Sequence, residues 1–180
     1  MGLFDKDFKE ILFSQSMAVI GGIIAGTLLA LYTDKILLIP GMVILIPGFL
    51  EMRGNISGTL SARLSSGLFL GVFKSSKEKK NVVSGNIIAS FILAAIVSLI
   101  LGLIAYLFNY LIFKVSTPEI IMIALVAGIL GSLIQIPLAL FFTFYLFKKG
   151  HDPTNIMGPL LTTTGDIISI LALLIALVII

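Results

Sequence analysis

The stretch that decides the fold is IMGPLLTTTGDIISILALLIALVII, residues 156–180. At about 1.5 Å rise per residue, this run is long enough to cross a ~30 Å hydrocarbon slab. It carries one ionisable residue, Asp166, which lies roughly 15 Å along the run, near mid-membrane. A charge at that depth costs roughly 2.5–3.5 kcal/mol unless it faces a partner, a cavity or an ion. At 100° per residue, Asn155, Pro159, Thr162, Thr163 and Ser169 fall within about 60° of Asp166, whereas the rest of the surface is almost entirely Leu, Ile and Ala. Two readings follow. The stripe is either one wall of a cation path or a polar helix–helix contact in which Asp166 stays protonated.

The composition is that of a membrane protein: 58% hydrophobic, 12% charged, mean hydropathy +1.17. A soluble domain carries about 25% charged residues. The chain reads as one membrane domain over residues 1–180, with spans at about 12–32, 36–73, 82–113, 118–147 and 156–180. The first ten residues are amphipathic and charged, and no cleavable signal peptide is expected. Lys6, Lys9, Lys74, Lys77, Lys79, Lys80, Lys148 and Lys149 fall on one side of these spans, against Lys35 and Lys114 on the other. The excess of positive charge on cytoplasmic loops predicts a multi-pass plasma-membrane protein with its N-terminus inside and its C-terminus outside. The pI near 9.2 comes from these loop lysines and does not point to nucleic acid. There is no cysteine, hence no thiolate metal site, and the one histidine, His151, reads as a loop residue.

Small residues recur at four-residue spacing: Gly22, Gly26 and Ala30; Ser90, Ala94, Ser98 and Gly102; Ala124, Gly128 and Ser132. Such ridges let helix backbones approach in lipid, where apolar burial alone gives no drive. Gln135 and Pro137 suggest either a cavity wall or a simple kink. The second span is too long for the slab, so it must bend, break or leave the membrane. Glu51-Met52-Arg53-Gly54-Asn55 offers the place: Gly54 leaves helical space freely and Asn55 is a good cap for a helix that restarts. A break at 53–55 would turn carbonyls of residues 50–53 towards a cation, as half-helix ends do in transporters. Glu51 and Arg53 are then candidates to pair with each other or elsewhere.

Two stretches together resemble a known family: PGFLEMRGNISGTLSARLSSGL, residues 47–68, and DPTNIMGPLLTTTGD, residues 152–166. They look like the membrane domain of MgtE-type magnesium channels, and more closely like its eukaryotic two-repeat solute-carrier relatives for divalent cations. The family's Gly-Asn pair falls on Gly54 and Asn55, and its Asp-Pro and Pro-x-x-Thr-Thr-x-x-Asp on Asp152, Pro153, Pro159, Thr162, Thr163 and Asp166. The resemblance implies that Asp166 is an ion-binding pore residue. It also implies an all-α integral membrane fold of five transmembrane helices with a broken second helix. The solute-carrier relatives have two such repeats on one chain, so a symmetric homodimer would restore the count, with both Asp166 residues near a shared axis. No segment here is long enough for the cytoplasmic N-domain or paired CBS domains of MgtE, a departure that leaves gating by a sensor on the same chain without support. Arg53 stands where MgtE commonly has a further glycine.

The expected function is therefore transport of a divalent cation, Mg²⁺ first among them, along a dimeric pore lined by spans two and five. The expected metal ligands are Asp166, Thr162, Thr163, Asn55, Gly54 and Glu51. Carboxylates, hydroxyls and carbonyls suit a hard cation that sheds water reluctantly. The expected partners are a second copy, the bilayer and the ion itself. Two alternatives come from other classes. An accessory membrane subunit would show no uptake when reconstituted alone. An integral-membrane enzyme would need a second catalytic group beside Asp166 or Glu51, and the spans offer no His, Cys or Lys.

Overall fold

Three local signals set where the helices begin. Asp5 caps the first, accepting from the Phe8 N–H at 3.0 Å. Asp152 caps the last, accepting from the Thr154 N–H at 2.8 Å, with Pro153 at the first helical position. Gly41 opens the third with φ +91°, a left-handed conformation, where a Cβ would also meet Asn109 and Ile120 at 3.2 Å. The computed structural model describes residues 5–72 and 76–180, without the side chains of 76–79. Its helices are α1 (Lys6–Leu31), the single turn α2 (Thr33–Ile36), α3 (Met42–Phe69), α4 (Ser76–Phe108), α5 (Glu119–Lys148) and α6 (Pro153–Ile179). A π-helical turn, Asn109–Phe113, extends α4. Of the expected lysine cluster, Lys74 and the side chains of Lys77 and Lys79 lie outside the described residues.

The helices run alternately up and down. Thr117, at the α4–α5 turn, reaches Pro40 at the start of α3, while Phe69 at the end of α3 packs edge-on against Phe147 at the end of α5. The start of α1 meets the α5–α6 turn through Glu10 and His151. Helix α3 sits at the centre, with α4, α5 and α6 around it, whereas α1 packs chiefly on α6. Two apolar clusters form the core. Met42, Leu45, Phe49, Ile120, Ile123 and Leu173 fill one half, and Leu60, Leu64, Ile136, Met157 and Leu161 the other. Between them lies a buried polar layer of Arg53, Ser57, Ser132, Gln135 and Ser169. The outer faces of α1 and α4 expose Ile20, Ile23, Ile88, Ile92 and Ile96, as a lipid-facing surface requires.

Four helices are long and apolar enough to cross a membrane: α1, α4 with its π turn, α5 and α6. Helix α3 matches them in length, at roughly 42 Å, but Glu51, Arg53 and Arg63 lower its apolarity. The expected break at 53–55 is corrected here. Helix α3 is continuous through Gly54 and Asn55, and the chain instead breaks at residues 37–41, which absorbs the excess length. Asn55 does not cap a new helix, because its Nδ2 donates to Glu51 Oε1, one turn back, at 3.0 Å. Gly54 serves close approach: a Cβ there would lie 3.3 Å from Thr162 Oγ1 and 3.6 Å from Thr162 Cα.

Two of the three small-residue ridges are used within the chain. Ser90, Ala94, Ser98 and Gly102 of α4 are buried, as are Ala124, Gly128 and Ser132 of α5. The ridge on α1 is not: Gly22 and Gly26 have no neighbour where a Cβ would go, and the buried residues of that helix are Glu10, Ser14, Gly21 and Ala25. A Cβ at Gly128 would overlap Ser98 Oγ and lie 2.6 Å from Ser98 Cβ, whereas one at Gly58 meets nothing within 4 Å. Gly128→Ala should therefore cost about 1–3 kcal/mol by forcing α4 from α5. Gly58→Ala should be neutral or stabilising by up to about 1 kcal/mol through helix propensity. Thermal melts in detergent check this; equal melting temperatures would mean the α4–α5 contact is looser than described.

Candidate ion-binding site at the contact of α3 and α6

Helices α3 and α6 run antiparallel and touch where Gly54 meets Thr162. Because α3 is unbroken, Glu51 and Asn55 stand one turn apart on one face, and both are exposed. Across the contact, α6 presents Thr162, exposed, and Asp166, half-buried. Thr162 Oγ1 donates its proton to Gly158 O at 3.1 Å, a bond internal to α6 that leaves its lone pairs free. Asp166 makes no hydrogen bond or ion pair among the described residues, and Glu51 is the charged group whose field it feels. The structure thus gathers Glu51, Gly54, Asn55, Thr162 and Asp166 into one stripe along the α3–α6 seam. Every donor atom it offers is oxygen, the preference of hard divalent cations. Among the described residues no three acidic, histidine or cysteine groups converge as a metal cluster.

Other residues read onto the same face go elsewhere. Thr163 turns towards α1, where its Cγ2 fills the space left by Gly21 and its Oγ1 donates to Ala18 O at 3.4 Å. Asn155 also serves α1, donating to Asp7 Oδ1 at 3.2 Å and Glu10 Oε2 at 3.3 Å. Glu10 is buried and accepts besides from the Asp152 N–H, and it pairs with His151 Nδ1 at 2.8 Å, so His151 is a joint between helices and more than a loop residue. Ser169 points inward. Gln135 lines no open cavity: its Nε2 donates to Leu161 O at 2.9 Å and ties α5 to α6.

Arg53 is the residue that sequence reasoning missed. It does not pair with Glu51. Two residues of continuous helix turn Arg53 by about 200° from Glu51, into the core. There it is 3% exposed. Its Nε donates to Ser169 Oγ at 3.1 Å, Nη1 to Ser132 Oγ at 3.0 Å and Nη2 to Ala127 O at 3.2 Å. Both terminal nitrogens also reach Gly128 O at 3.4 Å, and the guanidinium lies over the Phe49 ring, 5.3 Å from its centroid. Gly131 and Gly165 leave the room: a Cβ would lie 2.7 Å from Nη1 at the first and 3.0 Å from Cγ at the second. Among the described residues no carboxylate comes within ion-pair distance of Arg53. The signal for this in the sequence was an arginine in register with Ser57, Ser61 and Ser65 at four-residue spacing, with Gly-Ser and Gly-x-x-x-Ser on other helices.

Residues 46–176 match the model of the MgtE family, described as a divalent cation transporter. No curated protein and no solved structure matches the chain. The matched region takes in both halves of the stripe, Glu51 to Asn55 and Thr162 to Asp166, together with the helices that pack them. The family is one of transporters and not of enzymes. With the match covering well over half its length, this membrane protein belongs to the MgtE divalent cation transporter family.

Proposed function

We propose that the chain works as a homodimer that conducts Mg²⁺ between its two copies, along the stripes of α3 and α6. The observation that carries this is the exposure of Glu51, Asn55 and Thr162 beside the half-buried Asp166, in a bundle whose α1 and α4 outer faces are apolar. Each charge left in hydrocarbon costs roughly 2.5–3.5 kcal/mol. A second copy related by a two-fold axis covers the stripe and doubles its oxygens, giving a water-filled path with carboxylates on both walls. Asp166 supplies the attraction for the ion at mid-membrane. Glu51, held by Asn55, and Thr162 complete the oxygen shell with retained water. Gly54 brings the two helices close enough to share it, and Thr163 acts indirectly by docking α6 on α1.

In this reading α3 is the fifth crossing. Helices α1 and α4 run in the same direction, so the chain between them returns through the bundle as α3. The orientation is N-terminus cytoplasmic and C-terminus outside, in the plasma membrane. In support, Lys6 and Lys9 share one end of the bundle with Lys148 and Lys149, with Lys35 and Lys114 at the other.

The proposal is tested on purified protein in liposomes loaded with a magnesium-sensitive dye. Asp166→Asn is expected to abolish Mg²⁺ flux while the dimer and its melting temperature persist, because it removes charge from a group with no cationic partner. Flux at the wild-type rate in that variant would sink the assignment. Absence of flux in the wild type would favour an accessory subunit.

Affinity for Mg²⁺ should also fall as pH drops. The ligating carboxylates bind metal only when deprotonated, so binding is complete above their titration and is lost as pH falls through it. Calorimetric titration with Mg²⁺ at a series of pH values reads this directly, and binding indifferent to acid would place the ion away from Glu51 and Asp166.

A further inference from the structure

The stripe of each copy carries two carboxylates, Glu51 and Asp166, and behind it lies one buried guanidinium without an acidic partner. Arg53 flanks the α6 turn that bears Asp166: its Cγ packs against Gly165 and its Nε is bonded to Ser169. It lies on the far side of α3 from Glu51, so it neither touches the ion path nor blocks it. The other arginine, Arg63, lies about 18 Å further along α3 from Glu51 and stands outside the balance. In a low-dielectric interior beyond the reach of mobile salt, a fixed charge is screened far less than at a surface. Its burial is also unusual on stability grounds. Buried charges can often be replaced by apolar residues of similar volume without loss of stability. A charge kept at this depth, with two glycines and two serines arranged around it, points to a use for the charge itself.

Resting on the dimeric site above, we propose that Arg53 sets the charge of that site, so that it is neutralised by a single divalent cation and releases it. The count per copy is Glu51 and Asp166 against Arg53, or one net negative charge, and two copies give two. One divalent ion cancels this. Without Arg53 the same oxygens carry four negative charges per dimer, and the ion is held too tightly to move on. Arg53 is thus a specificity-determining and positioning residue that never contacts the metal.

The test is calorimetric titration of the full-length dimer with Mg²⁺, paired with liposome flux. Arg53→Gln keeps a polar amide at the position of Nε, within reach of Ser169, but drops the charge, and it should tighten Mg²⁺ binding by about tenfold while slowing flux. Arg53→Lys should retain wild-type affinity, since it keeps the charge. Glu51→Gln should weaken binding, and Glu51→Gln with Arg53→Gln should return it to near the wild-type value. Should Arg53→Gln fail to fold, Ser169→Asp gives the guanidinium the carboxylate it lacks and should tighten binding in the same direction. A purely structural Arg53 would lower melting temperature and affinity together and would not be rescued by Glu51→Gln; that result, or an unchanged affinity in both Arg53→Gln and Ser169→Asp, overturns the proposal. Unchanged binding in Glu51→Gln would instead remove the dimeric site on which it rests.

Discussion

A guanidinium buried in the middle of a helix bundle must be given acceptors before the helices around it can close. In this chain α5 supplies Ala127, Gly128 and Ser132, and α6 supplies Ser169. Arg53 therefore couples three helices at one depth, and the apolar clusters lie to either side of that layer. The requirement reaches into the sequence well away from residue 53. Gly131 and Gly165 are small because the side chain passes between them, and α5 carries two consecutive carbonyls to its terminal nitrogens. An unmet donor at this depth would cost about 1–3 kcal/mol, and more for a charged one.

The same constraint explains why the unbroken helix was not legible from residues 51–55. Gly54 and Asn55 are helix breakers by local chemistry, and a local reading places the interruption there. Their roles in the fold are tertiary. Gly54 is small because Thr162 crosses it, and Asn55 bonds to Glu51 along the helix instead of capping a new one. Neither partner is visible from neighbouring residues alone. By contrast, the apolar runs of α1, α4, α5 and α6 were legible, because they depend on composition and length. The ridges divide the same way. Their spacing identifies helices that can approach closely, but not whether a neighbour arrives, and on α1 Gly21 and Ala25 take that role while Gly22 and Gly26 face outward.

Once α3 is continuous, its two polar sets separate by face. Arg53, Ser57, Ser61 and Ser65 recur at every fourth position and are all buried. Glu51, Asn55 and Thr59 recur at the same spacing and are all exposed. The inner set is answered within the chain for the most part: Ser57 bonds back to Arg53 O at 2.7 Å and Ser61 pairs with Thr143 at 2.8 Å. Among the described residues the outer set has no such answer beyond the Asn55–Glu51 bond.

That asymmetry accounts for a helix of spanning length with too little apolarity to cross on its own. A transmembrane helix can carry polar groups when they face protein or water, and it cannot carry them against lipid. The inner face of α3 meets this condition through α5 and α6. The outer face finds no such cover among the described residues, and the facing residues of α6, Thr162 and Asp166, lie uncovered or half-covered along the same seam. Helix α1 does not cover the seam, because the joint of Glu10, Asn155 and His151 and the contact of Gly21 with Thr163 hold α1 on the other flank of α6. The seam is left open by the way the chain packs, and the carboxylate, amide and hydroxyl oxygens along it suit water or a hard cation.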